Sequence, residues 1–238
     1  MRYVLSLIAS LALAAPAAAQ LPEGTLDIEA RAGIVLRGAE EVIIAGATPD
    51  GDIAIAKANG EMLATLPGGV AGRPGAFCLW RPPREQILYA YLGSDQGEIA
   101  HHVLLFDQQN EGGGEAVTDY QNRMIAVSGP VTACAVDEPR GQLYVAVTGD
   151  GIRRFAADVP RDEELGVSIG SLLNMMRGLA DPAQTGGEQV LAESDLGWRA
   201  ERLVVIEGPS GDRVLLLGGE DGQSRAVPLS EADEQPDG

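Results

Sequence analysis

The 238-residue chain carries 35 Asp and Glu against 17 Lys and Arg, a formal charge of −18 at pH 7. That excess of carboxylates repels nucleic acid and anionic membrane surfaces, so neither is an expected partner. The acids form a solvated surface, or they supply oxygen ligands to a divalent cation such as Ca²⁺.

Residues 1–19 have the three parts of a secretory signal peptide. Arg2 is the positive n-region, 4–15 the apolar h-region, and Ala17-Ala18-Ala19 the small-residue cleavage signal. The apolar core falls short of the roughly 20 residues a membrane span needs, and later apolar runs are interrupted by charge or Gly. No membrane span is expected, and the mature protein, beginning near Gln20, is expected to be periplasmic or secreted. In that setting Cys78 and Cys134 invite a disulfide; two buried thiols acting as small hydrophobes are the alternative. No base is fixed beside either thiol, so cysteine catalysis is not expected.

After a leading strand or arm over 20–40, apolar runs at 41–47, 52–57 and 61–66 are separated by the turns Thr48-Pro49-Asp50-Gly51 and Ala58-Asn59-Gly60. They form a first short β unit. A Gly- and Pro-rich link, 67–75, leads to a second unit of strands at 77–80, 87–93, 98–107 and 122–128. The third unit has strands at 134–137, 142–149 and 151–156. A helical insertion over 166–180 follows, with Ile169, Leu172, Leu173, Met176 and Leu179 on one stripe and Asp181-Pro182 at its end. The last unit spans 188–229, and 230–238 is an acidic tail without a fold of its own.

Three of these units open on the same hairpin. Phe77-Cys78-Leu79-Trp80, Cys134-Ala135-Val136-Asp137 and Leu203-Val204-Val205-Ile206 each precede a turn and a second apolar run. The turns contain Pro, with Gly in two of the three, and can reverse the chain. Repetition of β units at this scale predicts an all-β fold, a reduced β-propeller of about four blades occupying 20–229.

The segments Phe77-Cys78-Leu79-Trp80, Leu88-Tyr89-Ala90-Tyr91-Leu92-Gly93, Gln96-Gly97-Glu98, Asp137 to Ala146 and Gly151-Ile152-Arg153-Arg154-Phe155 resemble those of the β-propeller phytases, the calcium-dependent alkaline class. The resemblance covers a little over half the mature chain, with about four units where the family has six blades. It implies phytase-like blades and Ca²⁺-assisted hydrolysis of phytate or other phosphate monoesters, a 3-phytase-type activity. Position by position, the family's Glu, Tyr and Lys fall at Thr132, near Gly75 and at Asp95. Only Glu201 keeps a carboxylate, as the one implied metal ligand, and no catalytic or substrate-binding residue is assigned. Glu220-Asp221-Gly222 and Asp150-Gly151 either add ligands or are Asp-Gly turns. His101 and His102, adjacent on a strand, face opposite ways; one is expected outward and one packed, so they do not share a metal.

Three functions compete. One is an exported Ca²⁺-dependent phosphate-monoester hydrolase. The second is a non-catalytic propeller fragment for binding or oligomerisation, its edges covered by a homodimer or a protein partner. The third is a lectin-like, envelope-associated binding propeller.

Overall fold

Four antiparallel meanders follow one another along the chain. The computed structural model describes residues 29–36, 39–82, 87–107, 116–157, 187–208 and 211–229. The expected signal segment, the 166–180 helix and the acidic tail lie outside these residues.

The first sheet is β1 (Glu29–Leu36), β2 (Ala39–Ala47), β3 (Asp52–Lys57) and β4 (Met62–Pro67). The second is β5 (Pro74–Trp80), β6 (Ile87–Ser94), β7 (Glu98–Asp107) and β8 (Ala116–Ala126). The third is β9 (Val131–Asp137), β10 (Gln142–Val147), β11 (Gly151–Ala156) and β12 (Glu188–Ala192). A helical turn, Glu193–Leu196, then leads to a three-stranded fourth sheet of β13 (Arg202–Glu207), β14 (Arg213–Gly218) and β15 (Ser224–Leu229).

The chain is therefore all-β, and its sheets stack as propeller blades do. The first strand of each sheet lies against the first strand of the next, β1 on β5, β5 on β9 and β9 on β13. Among the described residues no comparable packing joins β13 back to β1. Among the described residues the packing runs in series from the first blade to the fourth.

Three apolar layers hold the four blades together. Ile43, Ala45, Ile53 and Ile55 of the first sheet pack on Phe77, Leu79, Leu88 and Leu92 of the second. Cys78, Trp80, Tyr89 and Tyr91 on its other face meet Val131, Leu143, Val145 and Val147 of the third. Ala133, Ala135, Tyr144 and Ala146 then meet Leu203, Leu215 and Leu217 of the fourth. A sheet covered on both faces needs no polar alternation, which is why β3 and β6 are near-continuous apolar runs.

Cys78 and Cys134 form a disulfide that ties the second blade to the third. Aligning the units on their second strands leaves these cysteines one residue out of step, which points them to opposite faces of equivalent strands. Blades stack face to face, so a bridge between neighbours requires that offset. Cys78 lies on the face its blade turns forward, and Cys134 on the face its blade turns back. Closing a loop of sequence separation 56 is worth about 4 kcal/mol in chain entropy.

Two expectations change. Residues 188–192 belong to the third blade, where β12 pairs with β11, and the last blade starts at β13. The fourth strand of the second blade begins at Ala116, well before 122, and pairs with β7 along its whole length.

Candidate functional site

The polar groups that invite a catalytic reading are engaged in holding blades and linkers. Glu201 immediately precedes β13, and its N–H donates to the Gly218 carbonyl at 2.8 Å. Its carboxylate is ion-paired with Arg199, whose guanidinium also lies 4.0 Å from Glu220. Glu201 and then Glu220 hold the Arg199 pKa above its ordinary value. Ca²⁺ asks for roughly 6 to 8 oxygens. With a guanidinium already between the two carboxylates, this end of the fourth blade does not fit that ion. Among the described residues, no three His, Cys, Asp or Glu side chains gather as a metal-holding group.

The other positions at issue are occupied structurally. The Thr132 hydroxyl donates to the Ala200 carbonyl at 2.6 Å, closing the third blade onto the segment before β13. A Cβ at Gly75 would collide with the Val131 carbonyl oxygen, so neither a Tyr nor any other side chain fits while β5 and β9 run this close. The Asp95 carboxylate accepts the Arg73 N–H at 2.9 Å, and this bond, with a second from Gln96, lowers its pKa. Asp150 accepts from Arg153 and from Ser128, each at 2.8 Å, and is likewise lowered, chiefly by Arg153.

One pattern recurs in the second and third blades. Asp95 holds Arg73, Glu98 holds the Ala71 N–H at 2.7 Å, and Glu193 holds the Gly149 N–H at 2.7 Å. Part of the acidic excess thus serves as acceptors for linker and turn amides.

Both histidines are buried, correcting the expectation that one faces outward. They do face opposite ways, but each face of the second blade is covered. His101 stacks on Tyr91 with ring centroids 4.7 Å apart and meets the edge of Tyr89. Arg123 Nε donates to His101 Nδ1 at 3.2 Å, and the same guanidinium reaches the Ala156 carbonyl of the third blade. Burial first, then the positive charge of Arg123, pushes the His101 pKa well below its ordinary value. On the other face, His102 Nε2 donates to the Gly68 carbonyl at 2.9 Å, and Nδ1 lies 2.9 Å from Asp119. The first pins the second blade to the third; the second pins the linker from the first.

A different surface remains open. On the fourth sheet, Val204 pairs with Leu216 and Leu216 with Ala226, while Ile206 pairs with Val214 and Val214 with Pro228. Cross-strand partners share a face, and this face points away from the third blade. Val204 is 52% exposed, Ile206 42% and Leu216 38%. The equivalent residues of the second blade, Cys78 and Tyr91, are buried under the third. In the sequence, Leu203-Val204-Val205-Ile206 and Val214-Leu215-Leu216-Leu217 are runs of the same kind as in the inner blades. An apolar run signals a sheet prepared for cover on both faces, but not whether cover is present.

Neither a protein family nor a curated protein matches the chain. Among solved structures, a chain in the crystal structure of an active polycomb repressive complex 2 in the basal state is similar at 15% identity and a TM-score of 0.49, over 87% of this chain. The match spans 39% of that chain's length. Among the described residues, no helix is long and apolar enough to cross a membrane.

Proposed function

We propose that the protein is a non-catalytic propeller module that binds a protein partner through the outward face of its last blade. The observation behind this is the strip of Val204, Ile206, Leu216 and half-buried Val214, a contiguous apolar surface on an otherwise acidic chain. Such patches are the usual mark of a protein-binding surface. The Cys78–Cys134 bridge favours a periplasmic or secreted setting, where disulfides persist. Hydrolysis of phytate or other phosphate esters has no comparable support, because Glu201, the carboxylate the resemblance carries over, is engaged by Arg199.

The reading is tested in extract of the cells that make the protein. The wild-type chain should sediment in a species larger than one chain, and Leu216→Glu should return it to single-chain size. Single-chain size for both would overturn the reading. Purified protein should release no phosphate from phytate at any Ca²⁺ concentration; release abolished by Glu201→Ala would restore the hydrolase.

A further inference from the structure

The adjacent histidines of β7 receive opposite partners, and a bulge in β8 arranges it. His101 pairs with Arg123 and His102 with Gln121, so Asn122 is an extra residue on β8. In a regular strand Asp119 and Arg123, four residues apart, would share a face. The extra residue sends Arg123 to the face turned to the third blade, where His101 lies beside Tyr91. Asp119 stays on the face turned to the first blade, with His102.

The two rings meet different demands. His101 Nδ1 accepts from Arg123 Nε, so that ring carries one proton, on Nε2. His102 faces acceptors on both sides. Its Nε2 lies 2.9 Å from the Gly68 carbonyl oxygen, and its Nδ1 lies 2.9 Å from each carboxylate oxygen of Asp119. A neutral imidazole has one N–H and serves one of these; the imidazolium serves both. A protonated Asp119 would point one O–H at Nδ1 from one oxygen, whereas here both oxygens are equidistant, as around an N–H donor. Among the described residues, Asp119 is the charged group paired with the His102 ring. Asp50 and Asp52 flank Gly51 behind Gly68, Asp95 and Glu98 hold the other end of the 68–73 link, and Arg123 with His101 lies on the opposite face. The carboxylates on this side favour a cation.

Gly68 is where such a bond has leverage. A Cβ there would collide with the Gly51 carbonyl oxygen of the turn between β2 and β3, and with Leu92 of β6. The chain passes there between the first and second blades, and His102 is the side chain that holds it. We propose that His102 is an imidazolium ion-paired with Asp119, and that the pair is a pH-sensitive latch on the link between the first two blades. Loss of the Nδ1 proton as pH rises leaves one N–H for two acceptors and releases one of the two ties. The latch is therefore held at low pH and weakened at high pH, opposite in sign to the effect of His101, which burial and then Arg123 keep neutral. This inference does not rest on the proposed binding surface.

The test is nitrogen-15 NMR of the purified chain, which has two histidines in all, read together with amide hydrogen exchange of the link between about pH 5 and pH 9. The rings are told apart by their neighbours, Tyr91 for His101 and Gly68 for His102. At the acid end His102 should carry protons on both ring nitrogens. As the second proton leaves, protection of the Ala71 amide, corrected for the intrinsic pH dependence of exchange, should fall about tenfold or more, the loss of a bond to a charged group. In Asp119→Asn the side-chain amide can donate to Nδ1 while Nε2 still donates to Gly68, and protection should no longer follow pH. A His102 ring whose proton count stays the same across the range would overturn the inference. So would link protection that ignores the loss of the second proton, or an Asp119→Asn chain that keeps the wild-type pH dependence.

Discussion

The second and fourth blades are built from the same hairpin and differ in what lies over them. In the second, β6 is buried along almost its whole length because the first blade covers one face and the third the other. In the fourth, β14 alternates between buried Leu215 and Leu217 and exposed Leu216. One repeated sequence pattern therefore yields a structural layer in one place and a free surface in the other. Neighbours set the role of an apolar strand as much as composition does.

The comparison is sharpest at the covalent tie. Replacing Cys78 and Cys134 by Ala removes about 4 kcal/mol of loop-closure entropy from the joint between the second and third blades. Denaturant unfolding with and without reductant should show this loss in the wild type and none in the variant. The blades themselves should respond unequally to one truncation. Leu88→Ala, wholly buried in the second blade, should cost about 3 kcal/mol. Leu216→Ala in the single chain should cost less than about 0.5 kcal/mol, as exposed positions do. Equal costs would erase the distinction between covered and open faces.

The His102 tie lies between these two in size. His102→Ala leaves the Gly68 carbonyl and Asp119 without that partner and should cost about 1 to 3 kcal/mol. Hydrogen exchange should rise first in the link between β4 and β5, where a purely local loss would leave it unchanged.

A smaller effect separates the second blade by pH. Burial and Arg123 hold His101 neutral in the folded chain, whereas in the unfolded chain it takes up a proton below about pH 6.5. The unfolded state then binds more protons, so stability falls as pH drops through that window, by at most about 1.4 kcal/mol per pH unit from this group. His101→Gln should flatten the dependence between about pH 6.5 and the depressed folded value. An unchanged slope would show that His101 is not its source.

Most of the architecture was legible in the sequence because strand period and turn chemistry are local. β3, β7 and β11 follow directly from apolar runs bounded by Gly, Asn and Asp, and Gly141 takes the left-handed φ of 58° that ends the turn after β9. What was not legible depends on stacking. Whether 188–192 closes the third blade or opens the fourth is decided by pairing with β11, which no local signal encodes. The burial of both histidines reflects cover on two faces of one sheet. The one-residue offset of the cysteines joins two blades because blades stack face to face. Glu201 is the one carboxylate the resemblance retains, and its engagement by Arg199 two residues earlier depends on side-chain geometry that the sequence does not encode.

The central claim is that the outward face of the fourth blade is a covered, working surface when the protein is assembled. Leu216→Cys places a thiol on that face, the native cysteines being bridged to each other. Its rate of reaction with a thiol reagent should be lower in extract of the cells that make the protein than in purified protein, while a thiol at exposed Asp50 reacts at the same rate in both. A rate at the Leu216→Cys thiol that is unchanged between purified protein and extract would contradict the account.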